Sequence, residues 1–70
     1  MDGDMPQRIV SRETRTVNGI TVEVQGIERL EYTGEWASDG FHVILNGQRL
    51  GCFWGWPVND DIEKILPKSA

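Results

Sequence analysis

A thiol and an imidazole within hydrogen-bonding reach make a nucleophile–base pair. This chain has one of each, Cys52 and His42. Strand parity decides whether they can meet. Phe41, Val43 and Leu45 alternate with His42 and Ile44, and Asn46–Gly47 follows. Asn-Gly tolerates the positive φ of a type I′ hairpin turn. Beyond it Leu50, Cys52 and Trp54 alternate with Arg49, Gly51 and Phe53. A regular two-residue hairpin pairs Val43 with Leu50 and Phe41 with Cys52. Cys52 and Trp54 are then expected in the core, and His42, Ile44 and Phe53 on the opposite face. On that register the thiol and the imidazole cannot meet, and Cys52 reads as a buried structural cysteine, a common fate for a free thiol.

No other constellation makes a catalytic set. Glu31 and Glu35 are expected on the outward face of a strand over residues 29–36, together with the inward-facing Leu30, Tyr32 and Trp36. Four residues of strand separate the two carboxylates by ~13 Å, beyond the ~9.5 Å that glycoside hydrolysis allows. One Cys and one His cannot supply the four side chains of a structural zinc site, and a single Cys forbids an internal disulfide. Neither G-x-x-x-x-G-K nor G-x-G-x-x-G occurs, so no phosphate loop is expected. The expectation is a non-enzyme without metal or cofactor.

The net charge of −4 is unevenly placed. Residues 20–40 carry Glu23, Glu28, Glu31, Glu35 and Asp39 against Arg29 alone, which accounts for the whole imbalance. Proteins that grip a phosphate backbone present basic faces instead, so direct nucleic-acid binding is disfavoured. The one basic feature is Arg8, Arg12 and Arg15 near the N-terminus. If they form a free arm, the chain is a nucleic-acid-binding regulator; that is the alternative reading.

The elements follow from periodicity. Asn18–Gly19 is a second hairpin signal, and Ile20, Val22 and Val24 alternate behind it as a half-buried strand. The turn pairs Val17 with Ile20 and Arg15 with Val22. It thereby sets Arg15 and Glu13 on an apolar face, so the incoming strand is expected to be short, bulged or exposed. Gly26 reads as a break and Ser38–Asp39–Gly40 as a turn, giving a meander over 29–54. Val58, Ile62, Ile65 and Leu66 share one helical face. Asn59 or Asp60 is the expected N-cap, Asp60 and Glu63 have capping-box spacing, and Pro67 stops the helix. Gly55 and Pro57 form the corner before it.

Seventy residues read as a single domain, 1–70, with 1–7 a flexible terminus. The expected fold is α+β: a small antiparallel meander sheet of four to five strands with one C-terminal helix packed on one face. There is no apolar run near 18 residues, so no membrane span is expected. The acidic start is unlike a secretory signal, and a lone Cys suits a reducing compartment, hence the cytoplasm.

What remains is a surface. Phe53, Trp56 and Ile44, rimmed by Glu31, Glu35, His42 and Arg49, would make an aromatic anchor with a charged surround. Alternatively, residues 8–25 cover that face as a second small core. The leading expectation is a non-catalytic protein-interaction module, an inhibitor or adaptor that occupies a surface on a larger partner. Its most specific form is a phage- or mobile-element-encoded protein acting on a host nucleic-acid-processing complex. A homodimer through the Phe53 face is a further form of the same idea.

Overall fold

The computed structural model describes residues 6–67. Four strands, β1 (Gln7–Val17), β2 (Ile20–Leu30), β3 (Trp36–Leu45) and β4 (Gln48–Phe53), form one antiparallel sheet in the order β1-β2-β3-β4. A single helix, α1 (Asn59–Ile65), follows. This is the expected α+β meander with a C-terminal helix. Both Asn-Gly turns form as read: Asn18, Gly19, Asn46 and Gly47 all have positive φ, between 52° and 81°. The flexible terminus expected for residues 1–7 falls mostly outside the described residues. Its last two are held, since the Leu30 N–H donates to the Pro6 carbonyl at 3.0 Å and Gln7 opens β1.

The helix covers one face of the sheet near the two Asn-Gly turns. Ile62 is fully buried there against Val17, Val22, Val24 and Val43, with Phe41, Leu45, Phe53, Ile65 and Leu66 packed around them. Ile65 seats directly over Gly51, where a Cβ would lie 3.1 Å from its Cδ1. The N-cap is Val58, one residue earlier than expected, and the Val58 N–H donates to Asp61 Oδ2 at 3.3 Å. Asp61 therefore plays the reaching-back part that the spacing assigned to Glu63. Among the described residues the other half of the sheet carries no second layer, and the molecule measures 45 × 23 × 16 Å.

Each strand pairing contains an irregularity, and these account for the departures from the expected registers. In β1 the shift falls at Val10, between the pairs Ile9–Ile27 and Ser11–Gly26. β1 is thus bulged and almost wholly exposed, two of the expected alternatives, but it is eleven residues long, not short, and it lies beside β2 instead of covering a face. Gly26 does not break β2. It is a close-packing position, where a Cβ would collide with Ser11 Oγ and touch the Phe41 ring. The strand expected over 29–36 therefore does not exist, and β2 runs on to Leu30. The chain reverses at Glu31–Glu35 instead, with the Glu31 N–H bonded to the Glu35 carbonyl at 2.8 Å. Ser38–Asp39–Gly40 lies inside β3, where Gly40 at φ 91° absorbs the second shift.

The third shift matters most. Leu45 pairs with Gln48 and Ile44 with Arg49, but Val43 pairs with Gly51, leaving Leu50 as an extra residue. An extra residue inverts the facing of everything beyond it. Phe41 accordingly pairs with Phe53, and His42 with Cys52.

Ile62 is the residue through which the helix and three strands share one core. Replacing a buried Ile with Ala typically costs about 2–5 kcal/mol. Chemical denaturation of Ile62→Ala is expected to show that loss; a change below about 0.5 kcal/mol would mean that the helix does not hold the sheet.

Candidate functional site

The bulge at Leu50 rearranges the residues that carry chemistry. Cys52 is exposed, and Trp54 is 79% exposed, so neither is a core residue as expected. Phe53 is half-buried and packs against the core under the helix, so it is not an outward anchor. His42 and Cys52, expected on opposite faces, are cross-strand partners on one face. They line a cleft of about 220 Å³ with Gln7, Asp39, Gly40, Arg49, Phe53 and Trp54.

The chemistry available in that cleft follows from its hydrogen bonds. A thiol nucleophile needs a base bonded to it and a third group bonded to the base. Among the described residues no hydrogen bond links Cys52 to His42 or His42 to Asp39. The Asp39 carboxylate instead accepts from the Gln7 side-chain amide and lies 3.8 Å from Arg29. No group of three or more His, Cys, Asp or Glu able to hold a metal occurs among the described residues. The Trp54 indole lines the cleft together with the Arg49 guanidinium and the His42 imidazole.

The corner after β4 is locked in place by Arg15. Its guanidinium donates to the Pro57 carbonyl at 3.0 Å, to Asn59 Oδ1 at 2.8 Å and to Glu13 Oε2 at 3.0 Å. It also lies 5.3 Å from the Trp56 ring centroid. Trp56 meets Phe41 edge-on, with centroids 5.2 Å apart and planes at 86°. Arg15 and Glu13, misfits on an apolar face by pattern alone, are the pair that ties β1 to the helix. Trp56 is consequently a structural residue with one exposed side, at 44%.

The remaining candidates are dispersed. Ile44 is half-buried on the open face between Glu23 and Arg49. Glu31 and Glu35 sit in the β2–β3 turn, not on a strand, and Glu31 Oε2 accepts from Arg29 at 2.9 Å. Only His42, Arg49 and Phe53 of the expected rim and anchor share the cleft. The three arginines do not form an arm. Arg8 pairs with Glu28 at 2.7 Å and stacks 4.2 Å over Trp36, Arg12 pairs with Glu23 at 2.8 Å, and Arg15 is committed to the corner. The Arg12 bond, followed by one from Gln25, holds the Glu23 carboxyl below its ordinary value. Pattern reading missed Trp54 and Tyr32, both taken as core; Tyr32 is 99% exposed at the turn tip.

No family model, curated protein or solved structure matches this chain. No helix among the described residues is long and apolar enough to cross a membrane.

His42 supplies a pH signature of the cleft. Burial, then the Arg49 charge, push its pKa below the ordinary 6.5, with Asp39 opposing. The folded state thus releases the proton more readily than the unfolded chain. Its contribution to stability is complete above about pH 6.5 and is lost as the pH falls through the depressed folded value. Thermal melts are expected to drop from about pH 7.5 to about 5.5 in the wild type and to flatten in His42→Gln. Equal slopes for both proteins would contradict this assignment. The Glu23 contribution begins to be lost only as the pH falls through the ordinary carboxylate value of 4.5, outside that window.

Proposed function

We propose that this chain is a non-catalytic protein-interaction module that occupies a surface on a larger partner. The observation that carries the reading is the Trp54 indole, 79% exposed at the rim of the His42–Arg49–Cys52 cleft. A small domain has few large apolar groups and gains most by burying them. Leaving its widest side chain in water wastes that gain unless a second surface covers it. Trp56 at 44% and Val58 at 55% exposure extend the apolar ridge within five residues of chain. Tryptophan and arginine are the residue types that dominate interface energetics, and Arg49 stands beside Trp54 in the cleft.

The mode of action is occupancy, as an inhibitor or adaptor. The acidic middle of the chain suits competition for a basic groove, such as that of a nucleic-acid-processing complex. A protein encoded by a phage or mobile element and acting in the host cytoplasm is the most specific form of the proposal. It rests on composition: small size, acidity, a single thiol and no catalytic set.

Trp54→Ala separates recognition from folding. The side chain is mostly in water, so its removal is expected to change stability by no more than about 0.5 kcal/mol. Loss of an interface hot spot costs about 2 kcal/mol or more, roughly 30-fold in affinity. Affinity capture from the native host with wild type and Trp54→Ala is expected to recover a specific partner with the first and not the second. The same proteins from both, or none from either, would contradict the proposal.

A further inference from the structure

We infer that two copies of this chain associate edge to edge, β1 against the partner's β1, so that their sheets join into one. The contact uses backbone groups at the side of the sheet and is independent of the Trp54 surface proposed above.

β1 is an outer strand, bonded to β2 on one side only. The Asn18–Gly19 turn fixes which of its backbone groups are spare. In a two-residue hairpin the pair flanking the turn, here Val17 and Ile20, exchanges both of its N–H···O bonds, and such bonded pairs recur at every second residue. Arg15–Val22, Glu13–Val24 and Ser11–Gly26 continue the series. The Leu30 N–H, on the same alternation of β2, donates to the Pro6 carbonyl, as this pattern requires. The N–H and C=O groups of Arg12, Thr14 and Thr16 therefore point away from β2. All three residues are exposed. An outer strand with such a row of unpaired groups is a template for a further strand. The opposite edge is a poorer template: β4 has six residues, and its ladder is interrupted at Leu50. In β1 the shift lies at Val10, outside the stretch 12–16.

The side chains of the edge select the register. A two-fold axis perpendicular to the sheet joins two such edges antiparallel and keeps each face continuous. An axis at Arg12, Glu13 or Arg15 sets two like charges directly opposite each other, which destabilises a strand pair. An axis at Thr16 runs one end of each edge past the other's turn. An axis at Thr14 has neither fault. It pairs Thr14 with the partner's Thr14 and Arg12 with the partner's Thr16, and each pair exchanges both N–H···O bonds. Between them Glu13 lies opposite the partner's Arg15, at the non-hydrogen-bonded position where side chains come closest. The edge is thus complementary to itself in one register.

Charge neither drives this contact nor opposes it. Each arginine of β1 already has a carboxylate beside it: Arg8 has Glu28, Arg12 has Glu23 and Arg15 has Glu13. Two neutralised edges meet without net repulsion, and the backbone bonds carry the association, as in other cases of strand addition. The product is one continuous sheet with both helices on the same face. Thr14 is the residue that meets its own copy, which makes it diagnostic of the register.

Sedimentation velocity over a micromolar-to-millimolar range tests this with the protein alone. The wild type is expected to pass reversibly from monomer to dimer. Thr14→Pro removes an N–H that no bond within the chain uses, and proline is tolerated at such edge positions; it is expected to weaken the dimer at least ~10-fold. Thr14→Asp and Thr14→Lys, substitutions at an exposed site, are each expected to weaken it about 5-fold by setting like charges across the axis. An equimolar mixture of the two is expected to associate more tightly than either alone, because Asp then faces Lys. Trp54→Ala is expected to dimerise like the wild type, so that loss of partner capture and loss of self-association read out separately. A wild type that stays monomeric throughout, a folded Thr14→Pro variant that dimerises equally well, or an Asp–Lys mixture no tighter than its components would overturn the inference.

Discussion

The arrangement of this molecule's C-terminal half depends on one extra residue in β4. Side chains along a strand alternate between faces with a period of two, so inserting Leu50 without a partner inverts every position after it. The inversion brings Gly51 under the helix, where the absence of a Cβ lets Ile65 approach the sheet. It turns Phe53 toward Val43 and the core, and sends Cys52 and Trp54 to water. A regular hairpin would have buried the smallest and the largest of these side chains together and exposed Phe53. The bulge exchanges those assignments at the cost of one unpaired residue in an edge strand, the position where bulges are most readily accommodated.

A seven-residue helix has no independent stability. It persists because both of its ends are tied to different strands. Ile65 holds the C-terminal end to β4 at Gly51, while Arg15 holds the N-terminal end to β1 through Pro57 and Asn59. Arg15 is a large cation on the covered face, and its partners satisfy it from three directions. The guanidinium is planar and always charged, and it can donate to a carbonyl, an amide and a carboxylate while lying near an indole. A lysine has no planar fork with which to do this. The pair Glu13–Arg15 thus converts a break in the apolar pattern of β1 into the link between the two edges of the sheet.

Local signals were legible in the sequence, and cumulative ones were not. Both Asn-Gly turns, the alternation of Ile20, Val22 and Val24, and the helical face of Ile62, Ile65 and Leu66 each depend on a few neighbouring residues and appear in the structure, whereas Val58, expected on that face, is the exposed N-cap. Facing along a strand depends instead on every pairing between a turn and the residue in question. No composition signal marks Leu50 as unpaired, because a leucine fits either face. Gly26 misled for a related reason: a glycine that allows close approach of Ser11 and Phe41 looks the same in sequence as one that ends a strand. The candidate site inherits these errors. His42 and Arg49 line a cleft and not the rim of a Phe53 patch, and Phe53 and Trp54 exchange roles because they lie beyond the bulge.

The inverted facing of β4 has a reporter built in, since Cys52 is the only thiol in the chain. Its rate of reaction with a small aromatic disulfide reagent, measured in the native protein and compared with a free thiol, tests the account directly. With Cys52 on the open face, the thiol is expected to react to completion without denaturant, at a rate that does not follow global unfolding. A thiol that reacts only as fast as the protein unfolds would place Cys52 in the core, restore the regular hairpin and contradict the bulge.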